Sequence, residues 1–423
     1  MLFKFFKMKI VIQSINFHPE LTGIGKYTGE MASWLTSRGH IVRVITAPPY
    51  YPQWKISPGY KKYFWSREVW CGVKIWRCPI WVPIKPNGIA RLLHLASFAL
   101  SSFPIMLCQI LWHPDIILTI EPPLFTAPVA LLAARISGAK AILHIQDFEV
   151  DAAFDLGLLK SDWLKKIILV IEKFLLRHFD LVCTISGRMV DRALSKGLIA
   201  GNIYLFPNWA DAQTESKSSQ QRGISKSVPE FSYREYLKLP QDGVIALYSG
   251  NMGAKQGLEI LGEVAKKFQG QSLPLVHFVF CGDGVGRDKL IKQCKGLNFV
   301  HFLDLQPVEN LGRFLAMADI HLLPQRADAS DLVMPSKLTG MMASSRPVVV
   351  SANSGTELAT VVQYCGLVVP PEDPQSFYDA LLILISDKDL RDRLGMAGFK
   401  YAINNLDRDR ILLSFESKLK EII

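Results

Sequence analysis

Residues 245–261 read IALYSGNMGAKQGLEIL: a short apolar run, then Gly250-x-x-Gly253-x-Lys255-x-Gly257, then a helical pattern. Residues of these types at this spacing suit one task, the holding of an anion. A strand that turns into a helix directs unpaired backbone N–H groups, and the positive end of the helix dipole, at whatever lies above the turn. Glycine lets a phosphate approach the backbone with no Cβ in the way, and Lys255 adds a full charge at the same place. A plain βα turn with a surface lysine fits the same letters, so the surroundings must decide. A Walker-type loop is disfavoured, because Gln256 follows the lysine where Ser or Thr is required.

Three other stretches carry candidate chemistry. Gly23-x-Gly25-Lys26 offers a second anion seat at a helix start. It departs from the dinucleotide fingerprint, since the third glycine is displaced to Gly29 and no acid follows the second strand, which disfavours NAD. Asp147, in the run Asp147-Phe148-Glu149-Val150-Asp151, stands at the carboxyl end of an expected parallel strand, where ligand crevices open. A helix N-cap or loop acid is the competing reading, stronger for Asp151 and Asp155. The proline- and aromatic-rich loop 48–59 suits a sugar or acceptor, or equally a stiffened surface loop. Asp407-Arg408-Asp409 resembles a metal motif but falls in a helical tail and reads as a solvated face, so no metal is expected.

The elements that must position these groups follow a βαβ rhythm. Strands are expected at 9–13, 41–46, 116–120, 141–146, 181–185 and 203–206, with helices at 27–38, 92–112, 124–137 and 163–179. Segment 92–112 contains no Asp, Glu, Lys or Arg. It reads as a buried or membrane-touching helix rather than a span, because a winding helix is required there and Pro104 interrupts it. In 163–179 Leu164, Ile167, Ile168, Ile171, Leu175 and Phe179 read as one apolar stripe, with Lys165, Lys166, Lys173 and Arg177 elsewhere. Segment 212–230 is rich in Ser, Gln and Lys and reads as a linker or insertion. A second series of strands follows, at 245–248, 277–281, 300–302, 320–323 and 348–351. The division expected is 1–207 for a first Rossmann-like domain, 208–240 for a linker or insertion, 241–395 for a second, and 396–423 for C-terminal helices that pack back on the first.

With 423 residues and 49% hydrophobic composition, the chain is long and apolar enough for two globular domains. A net charge of +10 calls for an anionic partner: a phosphorylated substrate or an acidic membrane face. Nucleic acid is disfavoured, because no binding motif accompanies the basic residues. The seven scattered cysteines read as reduced thiols in a cytoplasmic protein.

Taken in order, the opening loop 17–25, Arg38-Gly39-His40, Pro207-Asn208, SGNMGAKQG, Cys281-Gly282-Asp283-Gly284, Ala318-Asp319 and MPSKLTGMMASSRPVV resemble a family-4 glycosyltransferase of the GT-B fold. IQDFEVD and SGNMGAKQG are most similar to the colanic-acid and exopolysaccharide branch of that family. The resemblance implies an α/β protein of two Rossmann-like domains with parallel sheets facing a central cleft. It implies a nucleotide-sugar donor (GDP- or UDP-sugar) held by the C-terminal domain, a polyprenyl-diphosphate-linked glycan acceptor held by the N-terminal one, retention at the anomeric carbon, and no metal or other cofactor. By the same likeness Gly250, Gly253 and Lys255 would hold the donor diphosphate, and Gly23 and Gly25 would close on it. Asn251, Gly257 and Gly282 would join the donor site. Asp331, Ser336 and Lys337 would contact sugar or phosphate near the place of a glutamate pair that this chain lacks, Leu332 and Gly340 standing at those positions. Lys255 and Asp147 would be the catalytic groups. A cytoplasmic enzyme peripheral on the inner membrane face is expected. A catalytically silent nucleotide-sugar-binding partner and a sugar-nucleotide epimerase are the competing readings.

Overall fold

Short apolar β-branched runs separated by helical repeats fold here as two wound sheets. The computed structural model describes residues 7–20, 23–84, 88–151, 162–209, 232–240, 242–253, 256–270, 276–327 and 336–423. Of these, the side chains of Asp162, Leu164, Val308, Glu309 and Ser336 lie outside the description. Two units form: residues 1–208 with 409–423, and residues 209–408.

The first unit runs β1 (Lys9–Gln13), α1 (Gly23–Ser37), β2 (Ile41–Thr46), β3 (Ser66–Trp70), β4 (Val73–Arg77) and α2 (Gly88–Ile110). It continues with β5 (Ile116–Glu121), α3 (Ala127–Ser137), β6 (Lys140–Ile145), α4 (Asp162–Leu176), β7 (Leu181–Thr184), α5 (Gly187–Ser195) and β8 (Ile203–Leu205). The sheet order is β3-β4-β2-β1-β5-β6-β7-β8. Every pairing is parallel except β3 with β4, an antiparallel edge that the βαβ reading did not contain. The order reverses between β1 and β5, and at such a point the carboxyl ends of the strands open a crevice. α1 begins at Gly23, four residues earlier than the expected 27, so Gly23-x-Gly25-Lys26 forms its first turn.

One expectation fails on α4. Leu175 and Phe179 are buried, whereas Ile167 and Ile171 are about half exposed. Steps of four residues advance about 40° around a helix each time, so a series 167, 171, 175, 179 spirals off any single face.

In the second unit β9 (Val244–Ser249) follows a single helical turn, α6 (Tyr233–Tyr236). Then come α7 (Glu259–Lys267), β10 (Val276–Cys281), α8 (Arg287–Gln293), β11 (Val300–Leu303), α9 (Val308–Ala316) and β12 (Ile320–Leu323). The unit ends with α10 (Ser336–Ala343), β13 (Val348–Ser351), α11 (Glu357–Val362), β14 (Gly366–Val369), α12 (Pro374–Ser386) and α13 (Lys388–Asn405). Its sheet is parallel throughout, in the order β11-β10-β9-β12-β13-β14. That is the doubly wound dinucleotide-type order, with its switch point between β9 and β12.

α13 stays with the second unit, so the chain returns to the first near residue 408 rather than at 396. The return is made by α14 (Arg408–Ile422). Glu416, buried on α14, accepts from Arg38 Nε at 3.2 Å and Lys420 Nζ at 2.6 Å. His40 Nδ1 accepts the Met8 N–H, so its Nε2 carries the proton given to Glu416 at 3.0 Å. Phe415 stacks on Phe206 with ring centroids 4.0 Å apart. The Arg38-Gly39-His40 turn thus ties the C-terminal helix to the first sheet.

Candidate functional site

All of β9 up to Tyr248 is buried, and a tyrosine inside such a strand must spend its hydroxyl locally. Tyr248 does so just past the strand end, donating to the Asn251 carbonyl at 2.6 Å. At Gly250, with φ +134°, the chain turns, and its N–H bonds the Cys281 carbonyl at 3.0 Å. Met252 N–H bonds the Asp283 carbonyl at 2.8 Å, and Gly286 N–H returns to the Met252 carbonyl at 2.8 Å. The turn after β9 therefore rides on the turn after β10. Gly282 makes that approach possible: a Cβ there would stand 1.9 Å from the Gly250 carbonyl oxygen.

Into this turn comes Lys337, the second residue of α10. Its Nζ lies 2.8 Å from the Tyr248 hydroxyl and 4.4 Å over the ring centroid. A Cβ on Gly250 would meet that nitrogen at 3.2 Å. Among the described residues no carboxylate pairs with it, so burial has nothing to offset it and pushes the ammonium pKa down to about 7. A cation so placed, at the switch point of the sheet and against a glycine turn, has the geometry to pair with an anion. A bound phosphate would supply the missing counter-charge and restore the lysine's basicity.

Of the residues singled out from the sequence for this seat, Gly250, Asn251, Gly253, Gly282 and Lys337 come together. A Cβ at Gly253 would lie 3.5 Å from the Asn251 amide nitrogen. Gly257, with φ +60°, faces elsewhere: a Cβ there would touch Arg326 Cγ at 3.0 Å. Arg326 itself stands 3.3 Å from Glu259 and 3.7 Å from Glu372. Lys255 and Asp331 lie outside the described residues, and Ser336 is placed only as the first residue of α10.

In the first unit the space beside Gly25 is taken by Glu20, whose Cβ and Oε2 would be 2.7 and 2.8 Å from an added Cβ. Glu20 is buried and accepts the N–H groups of Tyr50 and Tyr51 at 2.9 and 3.0 Å and the Asn16 amide at 2.8 Å. Burial raises its pKa, against the pull of those donors. Glu20 thereby fastens the loop 48–59 to the start of α1, while Gly23 opens α1 with φ +56°.

Asp147 is half-buried just beyond β6. Beside it the Gln146 and Asn208 amides bond reciprocally at 3.1 and 3.0 Å. The sequence reading passed over its neighbours. Glu149 accepts the Leu124 N–H at 2.7 Å, and its own N–H points to Glu121 Oε1 at 3.3 Å. Glu121 ends β5, is fully buried, and leaves Oε2 without a partner among the described residues. Burial, with Asp147 and Glu172 adding like charge, pushes the Glu149 pKa up to about 7. Glu121 is raised well above the usual carboxylate range by burial and then by Glu149 and Glu172. Asp151, by contrast, is held below it, against the upward push of its burial, by Arg192 and Lys196, each 2.9 Å away. Lys196 also bonds Glu172 at 2.6 Å. The carboxyl ends of β5 and β6 therefore carry two acids, Glu121 and Glu149, whose pKa values burial raises.

Comparison with known proteins places this architecture. Residues 22–209 match a glycosyl transferase 4-like domain, and residues 229–401 match the glycosyl transferases group 1. The chain is 41% identical to WcaI of Escherichia coli (strain K12), over 98% of this chain and all of that one. The name of WcaI provisionally assigns it to glycosyl transfer in colanic acid biosynthesis. A D-inositol 3-phosphate glycosyltransferase of Corynebacterium diphtheriae is 27% identical over 40% of this chain and 41% of its own. Among solved structures, sucrose-phosphate synthase from Thermosynechococcus elongatus superposes with a TM-score of 0.73 at 18% identity, covering 98% of this chain and 99% of that one. Anabaena Alr3699/HepE in complex with UDP and glucose gives 0.67 at 15% identity, covering 98% and 99%. At such identities the likeness speaks to the fold, two Rossmann-like domains of the GT-B kind.

Proposed function

The chain belongs to the family-4 glycosyltransferases of the GT-B fold, and from that premise we propose that it moves a sugar, with retention, from a GDP- or UDP-sugar to a lipid-linked glycan. The observation that carries the reading is Lys337 against Gly250 at the switch point of the second sheet: a partly buried cation beside a glycine turn, a pairing that suits a diphosphate. The UDP and glucose bound by HepE and the pathway in the name of WcaI support it from outside, and point to bacterial exopolysaccharide assembly.

In the proposed reaction the bond between the anomeric carbon and the donor's phosphate oxygen breaks. The acceptor oxygen bonds to that carbon on the same face, and its proton passes to the departing phosphate. Charge grows on the leaving diphosphate, and preorganised positive groups stabilise it without a metal. Lys337 is one such group and Lys255 is proposed as the other, with Asn251 and the glycine turn beside them and Asp331 and Ser336 toward the sugar. Asp147 is the proposed acid on the acceptor side. A polyprenyl-diphosphate acceptor is doubly anionic and membrane-borne, which suits a chain of net charge +10 working at the cytoplasmic face of a membrane.

The test is incubation with radiolabelled GDP- and UDP-sugars and a bacterial membrane extract. Label in the lipid fraction is the expected result. A changed free sugar nucleotide would mean an epimerase or hydrolase, and diphosphate binding with neither product would mean a silent partner.

A further inference from the structure

In the first unit the crossovers from β4 to β5, β5 to β6, β6 to β7 and β7 to β8 all advance the same way across the sheet. Right-handed connections therefore lay α2, α3, α4 and α5 on one side, and α1 on the other. α2 and α3 pack against each other in that layer. The layer is apolar toward the sheet, as it must be. On α2, α3 and α4 it is also apolar on its outer side.

On α4 Trp163, Ile167, Val170, Ile171 and Phe174 recur at i, i+4, i+7, i+8 and i+11, and each is 44% to 67% exposed. This stripe is opposite to the one that buries Leu175 and Leu176. On α2 Ile89, Leu93, Leu100 and Phe103 recur at i, i+4, i+11 and i+14, 46% to 77% exposed, while Leu95, Phe98 and Met106 face inward. α2 is long and apolar enough to cross a membrane, yet a third of its most apolar window is buried within the unit. α3 adds exposed Leu132 and Ile136 between the two. Scattered apolar side chains on a surface need no explanation, but three neighbouring helices that each present an outward stripe do.

Charge selects the occupant. α2 carries Arg91 and α3 carries Arg135 as their only charged residues. On α4 Lys166 and Lys173 are exposed on one shoulder of the stripe, while Glu172 is turned inward onto Lys196. Among the described side chains of α2, α3 and α4 a second copy of the chain would bring no exposed carboxylate to meet Lys166 and Lys173. Anionic lipid headgroups would, and the acyl chains beneath them would take the stripe.

We propose that the outer side of α2, α3 and α4 is a monotopic membrane seat, its apolar side chains set below the headgroups of an anionic bilayer and held by burial as well as by charge. This deepens the peripheral location proposed above, and it is separable from the sugar transfer.

The experiment is flotation of the full chain with vesicles of phosphatidylcholine containing phosphatidylglycerol, at low salt and at about 1 M salt, where screening shortens to about 3 Å. Expected is flotation that persists at high salt. It should drop at least tenfold in Leu93→Asp/Leu100→Asp and in Ile171→Asp/Phe174→Asp, whose exposed positions leave thermal unfolding unchanged. Complete elution by salt would overturn the seat and leave an electrostatic contact alone. No flotation at any composition would overturn it outright. So would a lipid-free dimer dissociated by the same substitutions, which would give the face to a second copy. Transfer onto acceptor dispersed in detergent, measured alongside, reads the functional proposal independently: wild type that floats but transfers nothing would sink that proposal and leave the seat standing.

Discussion

Lys337 Nζ and the Tyr248 hydroxyl stand 2.8 Å apart, the amine lying over the ring and against Gly250. The pair joins the end of β9 to the start of α10, which are 89 residues apart in the chain. Tyr248 donates onward to Asn251, so one phenol fixes both the cation and the turn it faces.

Replacing Lys337 by Met should raise stability at neutral pH while lowering transfer about 100-fold, the scale of losing one preorganised cation at a developing anion. The folded pKa of about 7 lies below the ordinary 10.5, so the unfolded chain holds more protons between those values. Wild-type stability should therefore climb as pH rises from 7 toward 10, the burial cost being fully felt below 7. The Met variant should lack that climb. Nucleoside diphosphate binding should weaken for wild type as pH rises past 7 and stay weak and flat for the variant. Calorimetric unfolding and titration at pH 6.5 and 9 check both.

Tyr248→Phe leaves the Lys337 amine and the Asn251 carbonyl without their shared partner. Unmade buried hydrogen bonds cost about 1–3 kcal/mol, so the denaturant midpoint should fall accordingly. Because the phenol positions Lys337 and touches no substrate, the pH at which diphosphate binding weakens should shift as well. An unchanged pH profile would reduce Tyr248 to a structural role.

Much of this was legible in the sequence, because local rules decide it. A glycine turn between an apolar strand and a helix is a local signal, and the βαβ rhythm announced five of the six strands of the second sheet, though not β14 or the order in which they pair. The β3–β4 hairpin was not legible, since Cys71-Gly72 lacks the usual Asn-Gly or Asp-Gly signature and β3, SREVW, groups its polar residues instead of alternating them with apolar ones. The outward stripe of α4 was hidden because that helix is apolar on two sides, and a pattern with two answers does not say which faces solvent. Lys337 was visible as a nearby cation. Its burial was not, because it depends on a tyrosine distant in the chain. A tyrosine inside an otherwise buried strand was the available clue, since its hydroxyl has to find a partner.

Glu149→Gln should stabilise the protein at pH 8 by several degrees in melting temperature and flatten its pH dependence. With the folded pKa raised to about 7, the native state holds more protons than the unfolded chain between pH 4.5 and 7. Stability from this group is thus complete below 4.5 and is lost as pH rises through 7. Glutamine keeps an acceptor for the Leu124 N–H without the charge. Melting curves from pH 5 to 8 decide, and a parallel pH dependence in the two proteins would refute the assignment.

Lys255→Ala should abolish transfer, at least 100-fold, and leave melting temperature within a degree or two of wild type, as expected of a cation that serves a ligand rather than the fold. Retained turnover would remove Lys255 from the proposed diphosphate site and leave Lys337 alone there.

Gly282→Ala tests whether the paired turns are the seat. The added methyl would start 1.9 Å from the Gly250 carbonyl, in a residue with φ +146° that side chains rarely adopt, so one of the two turns must move. Both belong to loops at the carboxyl edge of a sheet whose core lies beneath β9 and β10, so the displacement should concentrate there while the fold persists with a penalty of about 2 kcal/mol or more. Diphosphate binding depends on where Gly250 points its backbone relative to Lys337, and should fall by at least tenfold. The control is Gly270→Ala, at a positive-φ glycine with open space around it and outside both turns. It places an alanine at a positive φ of +77° without the collision, so it should lose stability but keep binding. Equal binding losses in the two variants would mean that strain, not the placement of the turn, sets the affinity.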